Sequence, residues 1–303
     1  MRAGKKTALT RLKPDNKLVE MLLSEVWWDE IVKLSHEDKD INIQLRPNSI
    51  NVYSKMGSML QISLEGGKTC CKIHYKYLIA KLKSPYVKIF PDQECLKARD
   101  NECPNIQDIL KDLKTVKQNI AVYTGEEKAI QSRLVEKNKE TIVDVEVAFS
   151  GKSDSDNDDG ENTQIDFINF DKNIDKLVFV ELKQIFDDRL YSNEINKQIK
   201  KYYDFAIKNE VRIIEAYQNV IKTKKKLGII KDKSYLAKVE ISAIEPRPLL
   251  IIAGFNQNVI DGLSKKIRAH LYESIDKNRL AGLYFFGKDV DLNLHEQKNK
   301  ILF

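Results

Sequence analysis

The spacing of apolar residues changes along the chain, and the changes mark out its parts. Over residues 17–35, Leu18, Met21, Leu22, Val26, Ile31 and Leu34 recur at roughly helical spacing, which predicts a helix with one buried stripe. Short alternating runs follow: Ile41–Leu45, Ile50–Tyr53, Met59–Leu64 and Cys71–Tyr75, parted by turn formers such as Pro47-Asn48 and Gly66-Gly67. Alternation puts every second side chain on one face, so these runs predict a small β-sheet. Residues 84–104 hold Pro85, Pro91 and Pro104 with little periodicity and read as an inter-domain connection. A smaller N-terminal α+β domain over 1–104, for recognition or assembly, is expected to precede a second domain over 105–303.

In that second domain the spacing predicts helices over 106–120 and 126–137, then strands at Thr141–Phe149, Gln164–Phe170 and Lys176–Lys183. The polar, acidic tract Gly151–Glu161 between the first two strands reads as a mobile loop. A long helix is expected from about Asn193 to Lys226, with Ile195, Ile199, Tyr202 and Ala206 in one stripe. A buried strand at Leu249–Ala253, a helix at Val259–Ser274 and a short strand at Leu283–Phe286 complete the pattern. Three consecutive strands and a fourth reached through a long helix predict an α/β (α+β) mixed sheet flanked by helices.

Composition adds bounds. The 303 residues are 42% hydrophobic and 32% charged, enough for two cores and ordinary for a water-exposed protein. No apolar run approaches the roughly 20 residues that span a bilayer, the longest being Pro248–Gly254. The basic start Met1-Arg-Ala-Gly-Lys-Lys leads into no apolar segment, so no secretory signal is expected. Four cysteines make no disulfide framework, and a cytoplasmic, reduced protein without membrane attachment is the expectation. A net charge of +6 is compatible with a polyanionic partner but does not establish one.

The chemistry concentrates at Glu181-Leu-Lys183, which ends the apolar run Leu177–Val180. On a strand Glu181 and Lys183 share a face. Glu-x-Lys by itself is commonly a solvated ion pair, and Glu37–Lys39, Glu126–Lys128 and Glu296–Lys298 also match it. Only Glu181–Lys183 ends an apolar strand, follows a strand carrying Asp166 between Ile165 and Phe167, and precedes a long amphipathic helix. A hairpin turning at Asp171–Asp175 would bring Asp166 and Glu181 side by side. Two hard carboxylates suit Mg²⁺, and a neighbouring ammonium can orient water and offset transition-state charge. On the helix, Gln198 and Tyr202 stand four residues apart on one face; Tyr202 also fits a purely packing role.

Together, Ile165-Asp-Phe167, Phe179-Val-Glu-Leu-Lys183, Arg189-Leu190 and Gln198-Ile-Lys-Lys-Tyr202 resemble the PD-(D/E)XK nuclease superfamily, particularly its restriction-like and RecB-like branches with a Gln-x-x-x-Tyr motif. The resemblance covers about residues 120–290, without the proline that gives the motif its first letter. It implies a restriction-endonuclease-like fold and Mg²⁺- or Mn²⁺-dependent hydrolysis of DNA phosphodiester bonds. It also implies that Asp166 and Glu181 ligate the metal, that Lys183 is catalytic, and that Gln198 and Tyr202 support the site. Glu127, Glu136 and Glu146 are candidates for a further metal ligand, and Arg189 for a phosphate contact or an ion pair with Asp187 or Asp188. Restriction or anti-phage defence, with DNA, other subunits of a defence complex or a second copy as partners, follows by analogy. A catalytically inactive nucleic-acid-binding or assembly subunit retaining the fold is the alternative.

Other signals are weaker. Asp154, Asp156 and Asp158 imitate a calcium loop, but Asp159 and Ile165 stand where glycine and glutamate belong. Cys70, Cys71, His74, Cys95 and Cys103 lack paired zinc-ligand spacing.

Overall fold

A computed structural model describes residues 14–78, 86–91, 105–149, 163–255, 269–270, 273–287, 293–295 and 300–301. The tract Gly151–Glu161, Cys95 and Cys103, and most of the helix expected at Val259–Ser274 lie outside them. The chain forms two compact units: residues 14–132 with 219–237, and residues 133–218 with those from 238 onward. The division falls at Ser132/Arg133 instead of the expected 104/105.

The first unit is built on a five-stranded antiparallel sheet in the order β1-β2-β3-β4-β5, comprising β1 (Ile41–Arg46), β2 (Ser49–Ser54), β3 (Gly57–Glu65), β4 (Lys68–His74) and β5 (Tyr86–Ile89). Strand β5 occupies part of the stretch expected to be a connection and pairs Val87 with Ile73. Gly66 and Gly67, both at positive φ, make the tight turn from β3 to β4. The helical stretch expected over 17–35 is two helices, α1 (Asn16–Leu22) and α2 (Val26–Glu37). They part where the Ser24 hydroxyl caps the Met21 carbonyl. Likewise α3 (Ile106–Lys111) and α4 (Leu113–Tyr123) part at Asp112. Helix α4 belongs with this sheet. Lys117 pairs with Asp38 and Asp40, Asn119 donates to the Tyr77 carbonyl, and a Cβ on Gly57 would overlap Ile120 Cγ2. Those contacts explain why the boundary comes later than the prolines suggest.

The second unit carries a six-stranded mixed sheet in the order β11-β10-β9-β8-β7-β6. Strands β6 (Ile142–Phe149), β7 (Thr163–Asp171) and β8 (Lys176–Gln184) are antiparallel neighbours. Strand β9 (Ile244–Phe255) runs parallel to β8 and to β10 (Gly282–Gly287), and β11 (Lys300–Ile301) closes the edge. Before them runs α5 (Glu126–Lys137), which spans the unit boundary. Between β8 and β9 come α6 (Glu194–Lys226) and the short α7 (Tyr235–Lys238). Helix α6 leaves helical geometry at Asn209, where φ is −120° and ψ is 15°. Strand β9 starts earlier than Leu249 because Pro246-Arg247-Pro248 are accommodated as a bulge opposite β8. Prolines lack the N–H a regular ladder needs, and a bulge is where a strand tolerates them.

Strand β8 lies in the middle of this sheet, and its residues Leu177 to Lys183 are all buried. On the face shared by Phe179, Glu181 and Lys183 lies α6. Phe205 stacks within 6.3 Å of Phe179 and 4.9 Å of Phe149. Ile195 and Ile199 join Leu250, Ile252 and Leu283 in a core beside it. The architecture is therefore mixed α/β. Among the described residues no helix is long and apolar enough to cross a membrane.

Candidate functional site

The β7–β8 ladder pairs Phe167 with Val180. One step outward in that register sets Asp166 across from Glu181. Residues directly opposed on an antiparallel pair point to the same face with Cβ atoms about 5 Å apart. The ladder itself stops at Phe167. The Leu182 N–H is taken instead by Asp166 Oδ2, at 2.8 Å. Asp166 is thus half-buried and fixed by the backbone of the strand that carries Glu181.

Glu181 is the hub. Its Oε1 accepts from Lys183 Nζ and from Gln198 Nε2 at 2.7 Å, and its Oε2 accepts from the Tyr202 hydroxyl at 2.8 Å. Gln198 Nε2 also donates to the Tyr202 oxygen at 2.6 Å, and that hydroxyl lies within reach of the Gln164 carbonyl on β7. Three of roughly four lone-pair positions on the carboxylate are engaged this way. Glu181 and Lys183 are each only 3% exposed, so the pair is held in a region of low dielectric. Burial, and then the charge of Glu181, drive the Tyr202 phenol far above its ordinary value, so it remains a donor. The negative charge of Asp166 adds in the same direction.

Helix geometry explains how α6 reaches the strand. Gln198, Tyr202 and Phe205 lie on one side of it at spacings of four and three. Tyr202 meets Glu181 while Phe205 meets Phe179, so a turn of helix matches a two-residue step on β8.

Other candidates fall differently. Glu146 is the residue across from Asp166 on the opposite neighbour, between the pairs Val145/Phe167 and Val147/Ile165. Its φ of 48° is a left-handed backbone angle within the strand. Glu136, on the last turn of α5, is half-buried; Glu127, at the start of that helix, belongs to the first unit. Among the described residues no group of three or more His, Cys, Asp or Glu side chains could hold a metal ion. The structure brings together Asp166, Glu181, Lys183, Gln198 and Tyr202, and among the described residues no further acidic ligand joins them. Arg189 lies against Asp187, Nε to Oδ1 at 2.8 Å. Partial burial pushes the Asp187 carboxyl up, but the Arg189 guanidinium and backbone N–H prevail and leave it below the ordinary value. The Lys183 charge acts in the same sense, which sets that pair in the electrostatic neighbourhood of the site.

The donor set fits a hard divalent cation. Two carboxylates on one face offer oxygen ligands only, and Mg²⁺ is commonly held by one or two carboxylates with water completing its shell.

A second polar cluster in this unit is one that spacing does not reveal. His295 Nε2 lies 2.9 Å from Thr141 Oγ1, Asn138 Oδ1 accepts from the Leu294 N–H, and the Tyr284 hydroxyl donates to the Leu294 carbonyl. Burial lowers the His295 pKa; the nearby Asp171 opposes this and Lys172 reinforces it. Its members come from chain segments some 150 residues apart, so no local motif marks them.

No protein-family model, no curated protein and no solved structure matches the chain.

Proposed function

We propose that the protein is a metal-dependent deoxyribonuclease with a restriction-endonuclease-like catalytic unit of the PD-(D/E)XK type. The observation that carries this reading is the convergence on Glu181: Asp166 held on the adjoining Leu182 N–H, Lys183 beside it, and Gln198 and Tyr202 reaching it from α6. A purely structural ion pair needs neither the second carboxylate on the same face nor two further donors from a helix. Asp166 and Glu181 would hold Mg²⁺ or Mn²⁺, which when bound supplies Lewis-acid activation of the phosphodiester and a water nucleophile. Lys183 provides a positive charge next to the carboxylates, suited to offsetting charge that develops on the phosphoryl oxygens. Gln198 and Tyr202 fix the orientation of Glu181, so the carboxylate is positioned before substrate arrives.

The test is incubation of plasmid and linear DNA with Mg²⁺, Mn²⁺ or EDTA, using wild type and Lys183→Ala. Cleavage that needs the metal and vanishes in the variant supports the reading; metal-independent cleavage, or equal rates in the variant, overturns it. A non-catalytic DNA-binding or assembly subunit is the second reading, favoured by the missing third acidic ligand among the described residues. DNA binding without cleavage under every metal condition would select it. A role in restriction or anti-phage defence, with DNA and other subunits or a second copy as partners, belongs to the first reading.

A further inference from the structure

The first unit carries a run of aromatic rings at one edge of its sheet. His74, near the end of β4, pairs in register with Tyr86 on the edge strand β5, and their ring centroids lie 5.3 Å apart. His74 also stacks on Tyr75 at 4.9 Å and meets Tyr77 at 5.6 Å. Tyr77 in turn lies 6.5 Å from Tyr123, at the end of α4. Packing explains why the rings touch but not why they face water: Tyr86 is 57% and Tyr123 56% exposed. Burying apolar ring surface is favourable, so two large exposed aromatics joined by a continuous ring row are surface held ready for a flat partner.

Charge says which flat partner. Lys76 Nζ sits 5.0 Å from the Tyr123 ring centroid. Two register steps inward from His74 and Tyr86, and so on the same face, Lys72 stands opposite Lys88. Among the described residues both of these lysines share a single acidic partner, Glu65, which leaves a positive excess there. Rings that can stack on bases, with lysines next to them for the backbone, are what single-stranded nucleic acid requires. A duplex hides its base faces and offers such rings little.

We propose that the Tyr86–His74–Tyr77–Tyr123 row, flanked by Lys72, Lys76 and Lys88, is a stacking surface for single-stranded nucleic acid. It is separate from the Asp166–Glu181 site and stands or falls without it. The experiment is fluorescence anisotropy of the full chain in EDTA, where metal-dependent cleavage cannot intervene. The labelled probes are a 20-nucleotide oligo-dT, the matching oligo-U and a 20-base-pair duplex, over a salt series. Single strands are expected to bind more tightly than the duplex. Tyr86→Ala and Tyr123→Ala should each weaken single-strand binding on the order of 5-fold or more, by the cost of one lost stack. Lys76→Ala should flatten the salt dependence by about 0.7 in log–log slope. Comparable binding of oligo-dT and oligo-U leaves the surface general for single strands, while a preference for one names its source. Since both tyrosines are exposed, unchanged melting of the variants is expected and is checked by circular dichroism. Absence of single-strand binding, equal binding of the duplex, or tyrosine variants with wild-type affinity would each overturn the proposal, the first of them leaving a protein as the partner.

Discussion

Removing Lys183 should do two things that come apart in a double variant. Lys183 and Glu181 are a buried ion pair, with side chains 4% and 5% exposed. Deleting one partner of such a pair strands the other charge in low dielectric and typically costs about 3–5 kcal/mol. After Lys183→Ala, Glu181 still accepts from Gln198 and Tyr202, so a loss near the lower end, about 3 kcal/mol, is expected. Glu181→Gln leaves the ammonium stranded and should cost a similar amount. The double variant Glu181→Gln/Lys183→Met removes both charges while keeping shape, and buried pairs replaced in this way are often near neutral. It should therefore regain most of the stability, to within about 1 kcal/mol of wild type, and remain inactive. Both tryptophans, Trp27 and Trp28, lie in the first unit, so their fluorescence does not report directly on the pair. Urea unfolding in EDTA should be followed by far-ultraviolet circular dichroism. A Lys183→Ala cost under about 1 kcal/mol would show the pair to be effectively hydrated. Losses that simply add in the double variant would refute the coupling, and cleavage by the double variant would refute the assignment of Glu181 and Lys183 to the catalytic site.

Gln198→Ala should lower DNA cleavage at least about 10-fold with little change in melting temperature, because a half-buried glutamine contributes orientation more than packing. Tyr202→Phe leaves Glu181 short of one donor and should cost about 1–3 kcal/mol, whereas Tyr202→Ala adds a cavity and should cost about 3–5 kcal/mol; equal losses in denaturation would put the whole effect in packing. Gly57→Ala should destabilise the first unit by about 1–3 kcal/mol, read by tryptophan fluorescence, since the new methyl overlaps Ile120 and approaches Thr124 Cγ2 at 3.3 Å. The depressed His295 pKa means that the unfolded chain binds more protons there. Its contribution to stability is full above the unfolded value of 6.5 and is lost as pH falls through it toward the folded value. His295→Gln should flatten that dependence in melting curves between pH 7.5 and 5.5, and an unaltered slope would count against it.

The site was legible in the sequence because it is carried by two local periodicities. An apolar strand ending in Glu-x-Lys and a helix with Gln198 and Tyr202 four apart each announce a face, and the β7–β8 hairpin supplies the third member. The direct opposition of Asp166 and Glu181 needs the ladder register, which a turn of unknown type at Asp171–Asp175 leaves open. Breaks inside helices were hidden for another reason: Asp112 and Asn209 keep the apolar period on either side while changing only their own backbone angles. The turn from β2 to β3 uses Lys55 and Met56 at positive φ, neither of them a glycine. The unit boundary misled through composition. Proline marks where regular backbone hydrogen bonding fails, but membership of a unit depends on which earlier residues side chains such as Ile120 and Lys117 touch, here Gly57 and Asp38.

The first unit is not a continuous length of chain, and that governs how it can be made or exchanged. Its Trp28 indole donates to the Leu227 carbonyl, His36 meets the Ile229 carbonyl at 3.1 Å, and buried Gln44 accepts from Lys224. These partners are translated only after the chain has run through residues 133–218 of the other unit. A ribosome therefore releases the sheet of the first unit long before its last polar contacts exist. Neither unit is a cassette that recombination could lift out with a single cut on either side. An excised 14–132 fragment would present an indole N–H and a buried amide to whatever chain could satisfy them, so the two halves are bound to be inherited together.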